Sequence, residues 1–125
     1  MPTTRYIAIV DDDESVREAT ISLFRSMGYR ASAFGSAEAF LDSGAIEQAS
    51  CLVLDVQMPG MGGLRLQSYL AATGRHIPIV FMTAFPDEQI CDQALKQGAF
   101  RFLTKPFTEQ DLLSGVGSAL AHEDV

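Results

Sequence analysis

Two rhythms of apolar residues alternate along this chain of 125 residues. Short apolar runs at Tyr6–Val10, Cys51–Leu54, Ile77–Met82 and Ala99–Thr104, the last interrupted by Arg101, predict strands, and Cys51–Leu54 reads as one buried on both faces. Between them, apolar residues recur at helical spacing. Val16, Ala19, Thr20, Leu23, Phe24 and Met27 form one such set, with Gly28 where a C′ glycine belongs. Leu64, Leu66, Tyr69 and Leu70 form another, closed near Gly74, and Ile90, Cys91, Ala94 and Leu95 a third, opened by Pro86 and Asp87 and stopped at Gly98. Thr108 caps a last helix carrying Leu112, Leu113, Val116, Ala119 and Leu120. A weaker strand over Arg30–Phe34 and a short helix capped by Ser36, with Ala39, Phe40 and Leu41, complete the series. Five strands alternating with five helices predict an α/β fold, with a parallel sheet covered on both faces and joined by right-handed crossovers.

The polar residues that end the strands change this picture most. Asp11 and Asp12 follow the first strand, Asp55 the third, Thr83 the fourth and Lys105 the fifth. In a parallel sheet these ends share one side, the side where open α/β sheets bind ligands. Three carboxylates brought together repel one another, so they call for protons, a cationic partner or a divalent cation. An all-oxygen set suits Mg²⁺, which takes one or two carboxylates plus phosphate oxygens. A hydroxyl and an ammonium opposite the metal are donors an incoming phosphoryl group needs, and an aspartate can be the nucleophile in phosphoryl transfer. Asp55, central among these groups, is the candidate nucleophile.

Composition adds limits. Apolar residues make up 47% and charged residues 20%, with no repeat or low-complexity tract, as in one ordinary globular domain. A formal charge of −7 argues against direct nucleic acid binding and against anionic membrane surfaces. The first residues lack a signal-peptide core, and the run from Ile77 to Phe85, broken by Pro78 and Thr83, is too short to span a bilayer, so a cytoplasmic protein is expected. Cys51 and Cys91 read as buried reduced thiols, and His76 and His122 as surface residues.

Four motifs in order resemble the receiver domain of two-component response regulators. They are Ile9-Val10-Asp11-Asp12-Asp13, Asp55 with Met58-Pro59-Gly60 and Gly63, Thr83-Ala84, and Phe102-Leu103-Thr104-Lys105-Pro106-Phe107. The resemblance runs from about Arg5 to Ala121 and treats residues 1–125 as one domain. It implies a flavodoxin-like (βα)5 three-layer sandwich with strand order 2-1-3-4-5. It also implies that Asp55 accepts a phosphoryl group from the phosphohistidine of a sensor histidine kinase. Asp11 and Asp12 would hold Mg²⁺ with Asp55 and the backbone carbonyl of Gln57. Thr83 and Lys105 would contact the phosphoryl oxygens, and Phe102 would be the aromatic switch. The face of helix 4, strand 5 and helix 5 would then engage a partner or a second copy, and the bond corresponding to Lys105-Pro106 is often cis in the family. The role is that of a signalling domain, not an enzyme, either free-standing or part of a longer regulator whose output domain would lie outside this chain, with a DNA-binding one as a possible example.

This sequence departs from the pattern at Gly62, where many relatives carry an acid or serine, and Phe102 lacks the hydroxyl of the tyrosine in some relatives. Gln57 and Phe85 flank the site. Asp13 reads as the cap of the first helix. A different class, the haloacid-dehalogenase-like phosphohydrolases, is suggested by Asp11-x-Asp13-x-Ser15. It would make Asp11 the nucleophile and Asp13 the general acid, but it leaves Asp55 unexplained and lacks a late acidic pair on a further strand. A receiver-like module that never accepts phosphate is the other alternative. Dinucleotide binding is excluded, because Asp-Asp-Asp-Glu-Ser after the first strand is not the glycine-rich turn that a pyrophosphate needs.

Overall fold

The computed structural model describes residues 5–123. The strands are β1 (Tyr6–Val10), β2 (Arg30–Phe34), β3 (Cys51–Asp55), β4 (Ile79–Thr83) and β5 (Arg101–Thr104). The helices are α1 (Glu14–Ser26), α2 (Ala37–Ser43), α3 (Gly63–Ala72), α4 (Glu88–Lys96) and α5 (Glu109–Glu123). All strand pairs are parallel and the order is β2-β1-β3-β4-β5, as the resemblance implies.

Strand residues point alternately to two cores. Ala8, Val10, Leu52, Leu54, Ile79 and Phe81 pack with Phe40, Leu66, Leu70 and Ala94 of α2, α3 and α4. Ile7, Ile9, Cys51, Val53, Val80 and Met82 pack with Phe24, Leu112, Val116 and Ala119 of α1 and α5. The sheet is therefore the middle of three layers. Every residue of β3 and β4 is buried, which is why those strands read as unbroken apolar runs rather than alternating ones.

The helix starts are encoded locally. Asp13 Oδ1 accepts the N–H groups of Ser15 and Val16, and Ser36 Oγ accepts that of Ala39. Thr108 Oγ1 accepts from Asp111 N–H while Asp111 Oδ2 accepts from Thr108 N–H, a reciprocal cap. Asp87 caps α4, as expected.

Several expectations shift. β4 begins at Ile79 and β5 at Arg101, two residues later than their apolar runs. Pro78 has no N–H to give the ladder, although its carbonyl accepts from Leu52 at 3.0 Å. The N–H of Ala99 closes the end of α4 on Ala94 instead of joining the sheet. A 3-10 turn at Ala45–Glu47 has no counterpart in the sequence reading. Ala19, Met27, Tyr69 and Leu95 are exposed, because each lies at the margin of its helical stripe. Gln67 takes the buried place on α3, donating Nε2 to the Ala94 carbonyl at 2.9 Å while its Oε1 has no partner. Next to it, Ser68 Oγ donates to Gln97 Oε1 at 3.1 Å. Cys51 is buried, Cys91 only partly so, and neither forms a disulfide. His76 is exposed, and the side chain of His122 lies outside the described residues.

At Gly63 the first turn of α3 is pressed against the end of β3. A Cβ there would be driven into the carbonyl oxygen of Asp55 and come within 3.0 Å of Val56 Cα. Backbone cannot yield as a side-chain tip can. Gly63→Ala is expected to cost roughly 2 kcal/mol or more in urea unfolding. Gly117→Ala on α5, where a Cβ meets nothing within 4 Å, should instead gain roughly 0.5–1 kcal/mol from helix propensity. Equal effects at the two positions would contradict the packing described.

Candidate functional site

The parallel register carries Asp11, Asp55, Thr83 and Lys105 to one edge of the sheet. Asp11 follows β1, and its N–H donates to the Phe34 carbonyl, while Asp55 and Thr83 are the last residues of β3 and β4. Lys105 follows β5, tied by its N–H to the Thr83 carbonyl at 2.7 Å, and its bond to Pro106 is cis. Asp11 is fully buried, Asp55 is 6% exposed and Thr83 1%. Asp12 is exposed.

One carboxylate oxygen from each of Asp11, Asp12 and Asp55 lies within 4.8 Å of the other two. Lys105 Nζ bridges two of these acids, donating to Asp11 Oδ2 at 2.8 Å and to Asp55 Oδ2 at 3.3 Å. Backbone donors hold the other oxygens: Asp13 N–H on Asp11 Oδ1 at 2.9 Å and Gln57 N–H on Asp55 Oδ1 at 3.2 Å. Thr83 Oγ1 accepts from Phe85 N–H at 3.0 Å, which leaves the hydroxyl proton free to donate elsewhere.

Burial is the main force raising the Asp55 pKa to about 6, and the charge of Asp11 adds to it, against the pull of Gln57 N–H and Lys105. For Lys105, burial works against the charged form, but the hydrogen bond and charge of Asp11, with Asp55 behind them, outweigh it and raise the pKa. The set of hard oxygen donors, two buried and one facing water, fits a small divalent cation such as Mg²⁺.

The structure thus brings together five of the predicted residues: Asp11, Asp12, Asp55, Thr83 and Lys105. Gln57 lies in the loop beyond β3. Phe102 stands apart from them, half-buried on β5 with its ring 5.9 Å from that of Phe81. Asp13 caps α1, which leaves its carboxylate engaged away from the role of general acid. Two residues had no signal that sequence reading could use. Arg17 donates Nη1 to the Asp11 carbonyl at 2.8 Å, and Glu38 Oε2 accepts from Met61 N–H at 3.1 Å. Neither is singled out by the sequence pattern.

Residues 7–116 match the family model of the response regulator receiver domain. The chain belongs to this family. Its curated relatives include the response regulator protein TmoT of Ectopseudomonas mendocina, 48% identical over 91% of this chain and 52% of the relative. The transcriptional regulatory protein TdiR of Thauera aromatica is 44% identical over 92% of this chain and 51% of the relative. The receiver domain here spans about half the length of the curated relatives it matches. Among solved structures, FixJ-N superposes with a TM-score of 0.85 at 30% identity, covering 97% of both chains. The response regulator StyR gives 0.88 at 45% identity, covering 95% of this chain and 60% of that one. These matches make the chain a receiver domain of response regulators, a signalling domain. Among the described residues no helix is long and apolar enough to cross a membrane.

The raised pKa of Asp55 has a sign that can be tested. Between about pH 4 and 6 the folded chain holds more of this proton than the unfolded chain, so the stability due to this group is lost as pH rises through that window. Asn at this position carries no proton to lose. In EDTA, Asp55→Asn is expected to be more stable than the parent by roughly 1–3 kcal/mol at about pH 7, with the gap closing toward about pH 4. Urea unfolding at the two pH values measures it, and a gap that does not change with pH contradicts the assignment.

Proposed function

We propose that Asp55 is the phosphoacceptor of this receiver domain. The observation that carries the reading is the convergence of a nearly buried carboxylate with two further acids, one lysine and one buried hydroxyl at a single sheet edge. With a pKa of about 6, Asp55 is mostly ionised near neutrality and can act as a nucleophile. A carboxylate oxygen of Asp55 attacks the phosphorus of a phosphohistidine, the P–N bond breaks, and the imidazole nitrogen leaves with the electron pair. An acyl phosphate results. Asp11, Asp12, Asp55 and the carbonyl of Gln57 would hold Mg²⁺, which when bound supplies the positive charge that lets an anionic phosphoryl group approach these acids. Lys105 then exchanges its contact with Asp55 Oδ2 for a phosphoryl oxygen, and Thr83 donates its free hydroxyl proton to another.

The donor is a sensor histidine kinase. Phosphorylation shifts the domain toward an arrangement it already samples, with Thr83 drawn to the phosphoryl group and Phe102 turned inward against the Phe81 side of the sheet. The face of α4, β5 and α5 then engages a second copy or an output domain. TdiR is named a transcriptional regulatory protein and extends well beyond the matched stretch, which supports an output domain that binds DNA. The receiver itself, at −7, is not the nucleic acid binder. We place it in the cytoplasm, as one domain with its core at residues 5–121.

Incubation with acetyl phosphate and Mg²⁺ is expected to add one phosphoryl group, seen by intact mass, and Asp55→Asn to abolish it. Full labelling of the Asn variant would remove Asp55 from this role. Asp11→Ala and Asp12→Ala should each weaken Mg²⁺ binding measured by calorimetry. Unchanged affinity in both would count against the metal site.

A further inference from the structure

The loop that follows Asp55 is closed at its base, packs Met58 and Met61 against the core, and is tied to α2 by one side-chain hydrogen bond. At the base, Val56 N–H donates to Met82 O at 3.0 Å and Gly63 N–H donates to Val56 O at 2.9 Å. The outer half has Pro59 and Gly60 exposed, and Met58 and Met61 partly buried against the core. Among the described residues its hydrogen bond to another element is that of Met61 N–H to Glu38 Oε2, at 3.1 Å, reaching back to the first turn of α2. Gly60 fits this contact in two ways. Its φ of 76° is in the left-handed region, and a Cβ there would stand 2.7 Å from Glu38 Oε2. The glycine thus leaves the carboxylate the space it occupies. Hydrogen bonds from its own N–H and from Met61 N–H, with Arg65 nearby, hold the Glu38 carboxyl below the usual carboxylate range, so it is ionised at neutral pH.

We propose that Glu38 is a positioning residue for the cation site: by pinning the loop at Met61 it fixes the carbonyl of Gln57 before Mg²⁺ arrives. The inference rests on the reading of Gln57 as a ligand. Glu38 does not touch the cation; it lowers the entropy that the loop loses when the carbonyl is used. Because the Glu38 carboxylate is exposed, the contact contributes little to global stability and acts on loop order.

The test is Mg²⁺ affinity by calorimetry on the whole chain, together with the initial rate of acetyl phosphate labelling. Glu38→Ala is expected to bind Mg²⁺ about threefold to fivefold more weakly, the loss of one charge-assisted hydrogen bond. Its labelling rate should fall in proportion at low Mg²⁺ and recover at saturating Mg²⁺. Glu38→Gln, which keeps an acceptor oxygen and removes the charge, should restore most of the affinity, and thermal unfolding should be nearly unchanged in both. Parent-like affinity in Glu38→Ala overturns the proposal, and so does a Gln variant as weak as the Ala variant, since that assigns the effect to charge. If the parent chain itself neither binds Mg²⁺ nor is labelled, the function proposed for the site fails instead, which separates the two readings.

Discussion

Crowding of negative charge at the end of the central strand is the constraint on which the rest of the structure depends. Two carboxylates within 4.8 Å repel by about 3.5 kcal/mol or more at an effective dielectric of about 20. Three of them, two buried, would push the loops after β1 and β3 apart if nothing opposed it. Lys105 opposes it from β5, and its position is set by backbone pairing rather than by its own flexible stem, since its N–H is bonded to the Thr83 carbonyl. The order of the strands is thus part of the electrostatics. With β3 between β1 and β4, Asp11 enters from one side of Asp55 and the strands carrying Thr83 and Lys105 from the other, and the lysine stem reaches across so that its ammonium lies between the two buried acids.

Most of this was legible in the sequence because both signals are local. Apolar runs marked the buried strands β1, β3 and β4 and the half-exposed edge strand β5, and each run stopped at a polar residue, so parallel pairing alone was enough to collect Asp11, Asp55, Thr83 and Lys105. Caps such as Asp13, Ser36 and Thr108 were legible for the same reason, each bonding within three residues of itself. What escaped depends on where chain segments meet in space. Pro78 is apolar, yet it cannot donate to the ladder, and the strand starts after it. Gln67 is polar, yet it is buried because the Ala94 carbonyl of α4 waits for its amide. Tyr69 and Met27 keep the spacing of core residues and still face water, since a stripe has margins that periodicity does not locate.

Arg17 and Glu38 belong to the same class of miss. Each is a charged residue on a helix, Glu38 exposed and Arg17 half-buried, where solvation is the ordinary fate of such a side chain. Their partners are a backbone carbonyl after β1 and a backbone N–H after β3. No charge pattern announces a backbone partner. Both bonds lie around the site and stiffen the two loops that carry its acids, so the supporting shell is drawn from residues whose side-chain chemistry gives no hint of it.

The attachment of α4 has a mechanical meaning. Its polar ties to α3 run from Gln67 to Ala94 and from Ser68 to Gln97, both at its C-terminal end, and its one fully buried side chain is Ala94. In a parallel sheet that end lies on the side opposite Asp55. The helix is therefore a lever with its pivot remote from the chemistry. A tilt about that pivot would be largest at the N-terminal turn beside Thr83 and Asp87 and would fade toward Ala94, so the part of α4 nearest the site is the part least tied to α3.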